Sequence, residues 1–381
     1  MNILFVVENY YPHIGGVETL FKGLTEGLAA LGHQITVVTH RMKNTKKSET
    51  INGVKIYRVS CVQSRYLFTL FCLPKVLLLS KKADIIHTST YTGTLSAKIA
   101  SALLNKPSII TVPEILGQNW EYFEMNYFSK KIHRVLERII IRLDFDMYIS
   151  ISGSTEKNVL EQGIHPSKSK VIYCGIDYTF FDPKLHYGTD IRKKLGLKDN
   201  FVYMFYGRPG ISKGLEYLIR AVKIISEEIP GSRLLAIVSK DITYSKRYNF
   251  IMDLIKRLDV SDKIVLLNSV PYAQLPSYIS AADCVVVPSL TEGFGFCAAE
   301  VCAMGKAIVA SDTTSLPEVV SGQFVLVKTK DPASIAEGVR KVYDKKTSHS
   351  PLKKFEIKDF IQSYIGVYEG MLSGTAATKI S

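Results

Sequence analysis

The chain has 381 residues, of which 46% are hydrophobic and 22% are charged, and its formal net charge is +13. This composition excludes a disordered chain, and the length favours two domains over one. The excess of cations favours acidic partners, but no basic tract is interleaved with aromatic residues and no zinc-finger spacing is present, so we expect no nucleic-acid binding.

The first half of the chain alternates short β-branched runs with amphipathic segments of helix length. The predicted strands are NILFVVE, HQITVVTH, VKIYRV, ADIIHTST, PSIITVP, MYISIS and KVIYCGI, and the first predicted helix is VETLFKGLTEGLAALG. This alternation is typical of βαβ units that form a parallel sheet covered on both faces. The N-terminal stretch has neither a basic segment nor a small-residue cleavage site, so we expect no signal peptide.

The charged segment HYGTDIRKKLGLKDN interrupts the alternation and is predicted to be a linker. The pattern then resumes with FVYMFYG, SRLLAIVS, KIVLLNSV, CVVVPS, AIVAS and FVLVK. We therefore predict an α/β protein with two Rossmann-like, doubly wound parallel-sheet domains, residues 1–185 and 186–354, facing each other across a cleft. Residues 355–381 are predicted to form a last helix that returns toward the first domain, followed by a frayed tail.

The cysteines lie mostly within apolar runs, and they form no Cys-x-x-Cys pair and have no histidine at zinc spacing. They are Cys61, Cys72, Cys174, Cys284, Cys297 and Cys302. This usage predicts buried, reduced thiols in a cytoplasmic protein rather than disulfides or a metal site.

One segment of the first half, SKKIHRVLERIIIRL, intersperses cations with apolar residues; the cations are Lys130, Lys131, Arg134, Arg138 and Arg142. A helix with this pattern can lie on an anionic membrane as a peripheral contact. It can equally cover a sheet and present a solvated basic face to water, so both interpretations stay open. A second apolar segment, YLFTLFCLPKVLLLSKK, is too short to span a bilayer.

Two turns follow predicted strands and open predicted helices. In YYPHIGGVETL, Gly15 and Gly16 allow a ligand to approach the backbone closely, and the helix start behind them favours a phosphate. In FYGRPGISKGLEYL, Arg208 and Lys213 are placed where both could reach one diphosphate. Taken singly, such residues are more often turn glycines and solvated charges.

The stretch LTEGFGFCAAEVCAMG follows the apolar run CVVVPS and contains two carboxylates, Glu292 and Glu300. Backbone N–H groups from Phe294 to Cys297 open a helix and suit a phosphate or a sugar hydroxyl. The carboxylates would repel that anion, so neutral hydroxyls are their natural partners. A ligand that carries both a diphosphate and hydroxyl groups satisfies both requirements.

These motifs together resemble the retaining glycosyltransferases of family 4, which have the GT-B fold. The resemblance rests on GGVETL, GRPGISKG, EGFGFCAAE and GKAIVASDTTSLPEVV, and it extends through ISISGSTEKNVLEQGI and KVIYCGIDYTFFDP. It implies transfer of a hexose-type sugar from a UDP- or GDP-linked donor to a glycan, glycolipid or lipid-linked acceptor. It also implies retention at the anomeric carbon and no metal or other cofactor.

The resemblance assigns roles to individual residues. Glu292 would face the sugar hydroxyls, and Glu300 would bind the ribose. Arg208 and Lys213 would hold the diphosphate, and Gly16 would approach it from the first domain. The donor-binding backbone would be that of Gly293, Phe294, Gly295 and Phe296, with the N–H groups of Gly295 and Phe296 meeting sugar and phosphate.

The chain departs from the family after the strand SIITV, because Pro113 stands where the family commonly has histidine. We expect the Pro113 carbonyl to accept from a sugar hydroxyl or to stabilise positive charge on the anomeric carbon. His87 and His13 are alternatives, although each is more often a structural or acceptor-contacting histidine than a catalytic one. The departure leaves open a non-catalytic protein that only binds the sugar nucleotide, beside a same-fold epimerase or phosphorylase. An oxidoreductase is disfavoured because the dinucleotide motif G-x-G-x-x-G is missing. The paired aspartates of DFD, Asp144 and Asp146, are predicted to lie on a surface loop rather than in a metal site.

Overall fold

The computed structural model describes residues 1–13, 15–61, 65–241 and 244–374. They divide into two compact units. The first unit comprises Met1–Trp120, Met125–Gly175 and Phe355–Ser381, and the second comprises Glu121–Glu124 and Ile176–Lys354. Of the predicted C-terminal tail, residues 375–381 lie outside the described part of the chain.

The first unit contains an eight-stranded sheet in the order β3-β4-β2-β1-β5-β6-β7-β8. All neighbouring strands are parallel except β3 and β4. The strands are β1 (Asn2–Val6), β2 (Gln34–His40), β3 (Ser48–Ile51), β4 (Val54–Val59), β5 (Ile85–Ser89), β6 (Ser108–Val112), β7 (Met147–Ser150) and β8 (Ser169–Val171). The helices are α1 (Gly16–Ala30), α2 (Arg65–Ser80), α3 (Thr94–Leu104), α4 (Tyr127–Ile141), α5 (Gly153–Glu161) and α13 (Ile357–Leu372).

The second unit contains a seven-stranded sheet in the order β11-β10-β9-β12-β13-β14-β15, antiparallel only between β14 and β15. Its strands are β9 (Val202–Gly207), β10 (Arg233–Val238), β11 (Ile264–Leu267), β12 (Cys284–Val287), β13 (Ala307–Ser311), β14 (Gly322–Val327) and β15 (Ser348–Ser350). Its helices are α6 (Thr189–Leu195), α7 (Leu215–Glu228), α8 (Ser245–Arg257), α9 (Leu275–Ala281), α10 (Phe296–Ala303), α11 (Leu316–Val319) and α12 (Pro332–Tyr343).

The central strands are apolar on both faces because helices cover both sides of each sheet. All five residues of β5, β6 and β13 are buried, as are all four of β12. This confirms the prediction of two α/β domains built on largely parallel sheets. Each sheet nevertheless ends in one short antiparallel strand that the apolar pattern missed, because β3 and β15 are polar and partly exposed.

The segment predicted as a linker, residues 186–200, contains α6. Arg192 of this helix donates to the carbonyl of Ala281 at 2.7 Å and pairs with Asp283 at 2.7 Å. These contacts hold α6 against the rest of the second unit. Charged residues dominate α6 because only part of its surface is covered. Composition alone therefore did not distinguish a short surface helix from a linker.

The C-terminal helix α13 belongs to the first unit. Two buried tyrosines, Tyr364 and Tyr368, bring their hydroxyl groups to the sheet: Tyr364 lies 2.9 Å from the Thr111 hydroxyl, and Tyr368 lies 2.8 Å from Nδ1 of His87. The apolar face of α13 thus packs around a satisfied polar network. No helix among the described residues is long and apolar enough to cross a membrane.

Candidate active site

The turn after β9 carries Lys213 toward the end of β12. A short 3-10 helix, Ile211–Lys213, ends at Gly214, whose φ of 66° is left-handed. A Cβ at Gly214 would stand 1.9 Å from the carbonyl oxygen of Pro288. Only glycine permits both this conformation and this approach, and the backbone N–H of Leu290 donates to the carbonyl of Ser212 at 2.7 Å across the same contact.

Lys213 and Glu292 form an ion pair in this unit, with Nζ 2.6 Å from Oε1. The Ser289 hydroxyl donates to the same carboxylate oxygen at 2.8 Å, and the backbone N–H of Glu292 donates to Thr314 at 2.9 Å. Burial, the largest single effect, lowers the pKa of Lys213, but Glu292 and the neighbouring Cys297 raise it more, so the net pKa is raised. The ammonium is therefore charged at neutral pH and held beside a carboxylate.

The Lys213–Glu292 ion pair lies at the start of α10, the helix that was predicted from the sequence FCAAE. Its N-cap is Gly295 with a φ of 96°, and no side chain of the described residues caps the first turn. Ser315 donates to the carbonyls of Glu292 and Phe294, both at 2.9 Å, and so holds the preceding loop. The helix start thus presents its positive dipole end close to Lys213.

Glu300 sits one turn into α10 and is 7% exposed. Tyr206 donates to Oε2 at 2.7 Å, and Tyr272 donates to Oε1 at a longer 3.4 Å. Burial raises the pKa of Glu300 to about 7, although both tyrosine hydrogen bonds act in the opposite direction. The ring of Tyr272 also stacks on Phe180 with centroids 5.0 Å apart.

Sequence reasoning missed both tyrosines. Tyr206 stands next to Gly207 at the end of β9, two residues before Arg208, so its place at the end of the strand was a usable signal. Tyr272 comes from a short 3-10 helix, Tyr272–Gln274, which carried no motif. Only the tertiary fold brings it to α10.

Arg208 lies in the same turn as Lys213 but is held by a different residue. Its guanidinium donates to the Tyr244 hydroxyl at 3.3 Å and stands 5.7 Å from the centre of that ring. The geometry is a loose cation–π contact, which leaves further guanidinium donors available.

In the first unit, Gly15 caps α1 in an extended conformation, with a φ of −169°. A Cβ on Gly15 would meet Glu18 at 2.3 Å, so the carboxylate of Glu18 folds back over the helix start. Glu18 also lies 3.1 Å from Nδ1 of His13. The glycine turn of Gly15 and Gly16 is present as predicted, and here an acidic side chain of the protein itself lies near it.

Pro113 directly follows β6 and is buried. Its carbonyl oxygen accepts from the Thr155 hydroxyl at 3.5 Å, which is a long and weak contact. A carbonyl oxygen has two lone pairs, so this contact does not exhaust its capacity as an acceptor.

His87 has the structural role that was favoured for it over a catalytic one. It is fully buried, and both ring nitrogens have partners at 2.8 Å, Tyr368 on one side and Thr111 on the other. Burial lowers its pKa to about 3, so the imidazole stays neutral. We conclude that His87 is a structural residue of the core.

The DFD aspartates serve the fold. Asp146 accepts from the backbone N–H and the hydroxyl of Ser108, both at 2.8 Å, and Asp144 pairs with Lys168 at 2.6 Å. Among the residues that the structure describes, no group of three or more His, Cys, Asp or Glu side chains is arranged to hold a metal ion.

Family models match both halves of the chain. The model described as Glycosyl transferases group 1 matches residues 188–358, and Glycosyltransferase Family 4 matches residues 14–180. The chain is 30% identical over 357 residues to an uncharacterized glycosyltransferase of Methanocaldococcus jannaschii, a match that covers 90% of this chain and 89% of the relative. The chain belongs to the group 1 glycosyltransferases.

Other relatives of this glycosyltransferase have more specific names. A UDP-Gal:alpha-D-GlcNAc-diphosphoundecaprenol alpha-1,3-galactosyltransferase of Escherichia coli is 29% identical, over 67% of this chain and 62% of the relative. The GPI3 subunit of phosphatidylinositol N-acetylglucosaminyltransferase from Saccharomyces cerevisiae is 22% identical, over 99% of this chain and 84% of the relative.

Solved structures match the fold of this glycosyltransferase over nearly its whole length. Sucrose-phosphate synthase of Thermosynechococcus elongatus has a TM-score of 0.79 at 19% identity, covering 98% of this chain and all of the other. HepE of Anabaena, solved in complex with UDP-glucose, has a TM-score of 0.75 at 18% identity, covering 97% of this chain and all of the other. These likenesses confirm the predicted GT-B fold.

Proposed function

We propose that this glycosyltransferase moves a hexose-type sugar from a UDP- or GDP-linked donor to a glycan, glycolipid or lipid-linked acceptor. The proposal includes retention at the anomeric carbon and no requirement for a divalent metal. The observation that carries it is the Lys213–Glu292 pair at the uncapped start of α10. A fixed cation, a carboxylate and a helix N-terminus there match a diphosphate joined to a hydroxylated sugar.

In this proposal the second unit binds the donor, and Lys213 and Arg208 act on its diphosphate. The bond from the anomeric carbon to the phosphate oxygen breaks as the acceptor oxygen bonds to the same carbon. The acceptor proton passes to the departing phosphate oxygen. Negative charge grows on the diphosphate during this step, so fixed cations stabilise the transition state more than the ground state.

Glu292 and Glu300 take the hydroxyl groups of the donor. Glu292 accepts from Lys213 and Ser289 through one oxygen, Oε1, in the contacts seen here, which leaves Oε2 suited to a sugar hydroxyl. Glu300 accepts one tyrosine on each oxygen, and each carboxylate oxygen has a second lone pair for a ribose hydroxyl. The backbone from Gly293 to Phe296 lies between the two carboxylates.

The first unit is assigned to the acceptor, with the Pro113 carbonyl as a dipole for the positive charge that develops at the anomeric carbon. The names of two similar proteins support a nucleotide-sugar donor: the Escherichia coli galactosyltransferase is a UDP-Gal enzyme, and HepE was solved with UDP-glucose. We place the reaction in the cytoplasm, in keeping with six free cysteines.

The proposal is tested first by thermal shift with UDP, GDP and their sugars in EDTA, because a ligand stabilises the fold that binds it. The donor found in this way is then incubated with candidate acceptors, and the product anomer is read by NMR. A product with the donor's own anomeric configuration, formed in EDTA, is the expected result. An inverted product would refute retention, and activity only with added Mg²⁺ or Mn²⁺ would refute metal independence.

A further inference from the structure

Helix α4 exposes apolar side chains along one whole face. We call this surface the α4 outer face; it consists of Phe128, Ile132, Val135, Leu136 and Ile139. Their exposed fractions are 76%, 55%, 52%, 40% and 53%, respectively. At about 100° per residue, Phe128, Ile132, Val135 and Ile139 fall within about 60° of one another around the helix. They therefore form a continuous stripe rather than scattered single residues.

The orientation of α4 is fixed by its opposite face, which carries Glu137. This carboxylate is 5% exposed and accepts from the backbone N–H groups of Leu116 and Gly117 at 2.9 and 2.8 Å and from the indole of Trp120 at 3.2 Å. A buried carboxylate with three donors strongly resists a change of position. The helix cannot roll to bury its stripe without breaking these bonds.

Cations border the α4 outer face. Lys131, Arg138 and Arg142 are exposed, and on the helical projection they follow one edge of the apolar stripe. Within the described part of the chain, no carboxylate pairs with Lys131 or Arg138. Glu137 is the single acidic residue of α4, and it points into the protein. The surface thus combines apolar area with uncompensated positive charge.

Two other helices on the same side of the sheet also expose apolar side chains. α2, α3 and α4 each connect strands that are added in the same direction across the sheet, so right-handed crossovers place all three on one side of it. α2 exposes Leu70 and Phe71 at 66% and 50%, and α3 exposes Leu103 at 69%. Exposed apolar residues on this side of the sheet are therefore not confined to α4.

We propose that the α4 outer face docks the protein on the surface of an anionic lipid bilayer, with Phe128 and Ile132 inserted at the headgroup boundary. An interfacial helix needs an apolar face, flanking cations and a fixed orientation, and α4 has all three. A second copy of the chain is a poorer occupant, because each copy has a formal net charge of +13 and the same row of cations. The proposal does not depend on the sugar-transfer chemistry.

The test is cosedimentation of the full chain with phosphatidylcholine vesicles that contain or lack phosphatidylglycerol, at low and high salt. Lys131→Gln with Arg138→Gln should weaken binding to the anionic vesicles about 30-fold, from roughly 1 kcal/mol per cation. Phe128→Ser with Ile132→Ser should weaken it more than about tenfold, since two side chains lose their burial in the bilayer. High salt should weaken the binding of the unaltered protein.

Matched controls lie in the second unit. Lys193→Gln with Lys194→Gln changes the same charge on exposed residues of α6, and Leu185→Ser with Tyr187→Ser removes side chains that are 64% and 71% exposed. Both control pairs should bind vesicles like the unaltered chain. Circular dichroism checks that every variant is folded.

Three results would overturn the proposal. They are no binding of the unaltered chain to anionic vesicles, equal loss in the controls and the α4 variants, and a dimer in analytical ultracentrifugation that Phe128→Ser with Ile132→Ser dissociates. The last result would assign the face to a second copy of the chain.

Discussion

Replacing Glu300 with glutamine should stabilise the second unit, and the effect should grow with pH. Burial raises the pKa of this carboxyl from 4.5 to about 7. A carboxyl whose pKa is raised on folding binds its proton more tightly in the folded state. Its favourable contribution is complete below pH 4.5, declines as pH rises, and is lost above about pH 7.

The magnitude follows from the shift in pKa. A difference of about 2.5 units at 1.36 kcal/mol per unit makes the ionised carboxyl unfavourable by about 3 kcal/mol above pH 7. Because this carboxyl is already mostly ionised in the unfolded chain at pH 5.5, part of the penalty is present there, and the change between pH 5.5 and pH 8 is about 2 kcal/mol. Glu300→Gln removes the titration, so its stability relative to the unaltered protein should rise by that amount across this range.

Hydrogen exchange in urea, followed by mass spectrometry, measures the unfolding of the second unit through its own peptides. The single tryptophan, Trp120, lies in the first unit, so its fluorescence serves as an internal control. Glu227→Gln, at an exposed position on α7, is the matched substitution. A stability difference between Glu300→Gln and the unaltered protein that does not vary with pH would refute the reasoning.

Three further outcomes are expected, two from variants in the second unit and one from a variant in the first. Lys213→Met should slow turnover about 10²- to 10³-fold at saturating donor, and near-normal rates would remove its assignment to the diphosphate. Gly231→Ala should lower the free energy of unfolding of the second unit by about 1 to 3 kcal/mol, because alanine is strained in its left-handed backbone conformation. Gly214→Ala should lower it further, because the new Cβ would also stand 1.9 Å from the carbonyl oxygen of Pro288. Equal unfolding free energies would show that the turn adapts. If the backbone carbonyl acts at this position, turnover of Pro113→His should stay within about threefold of the unaltered enzyme. This limit is well below the 10²- to 10⁴-fold contribution that is typical of general acid–base catalysis. A gain of more than tenfold over the unaltered enzyme would show instead that an imidazole is needed.

The local parts of the site could be predicted from sequence because each depends on a short stretch of chain. A strand, a glycine turn and a helix start follow one another in FYGRPGISKGLEYL and again before α10, and the structure forms both as predicted. The position of Lys213 on its turn follows from that order. Its 2.6 Å contact with Glu292 does not, because the two residues are separated by 79 positions.

The environment of Glu300 shows the limit of motif reasoning. The motif located the carboxylate one turn inside α10, but its pKa depends on burial and on hydroxyls from Tyr206 and Tyr272. Tyr206 comes from β9 and Tyr272 from the short 3-10 helix Tyr272–Gln274, so neither belongs to the motif that contains Glu300. Likewise, the sequence favoured a structural or acceptor-contacting His87 but could not name its partners, which are Thr111 and, 281 residues away, Tyr368.

The sequence by itself determined the alternation of strands and helices, because burial on both faces of a parallel sheet imposes apolar runs that are visible in a single chain. It also determined the order of the glycine turns and charged residues that follow those strands. Only the tertiary structure decided which face of α4 meets solvent. The helical period places apolar residues on one side and Glu137 on the other, and periodicity favours burying the apolar side. The fold does the reverse, because Glu137 satisfies three donors of the loop after β6 that would otherwise be buried without an acceptor.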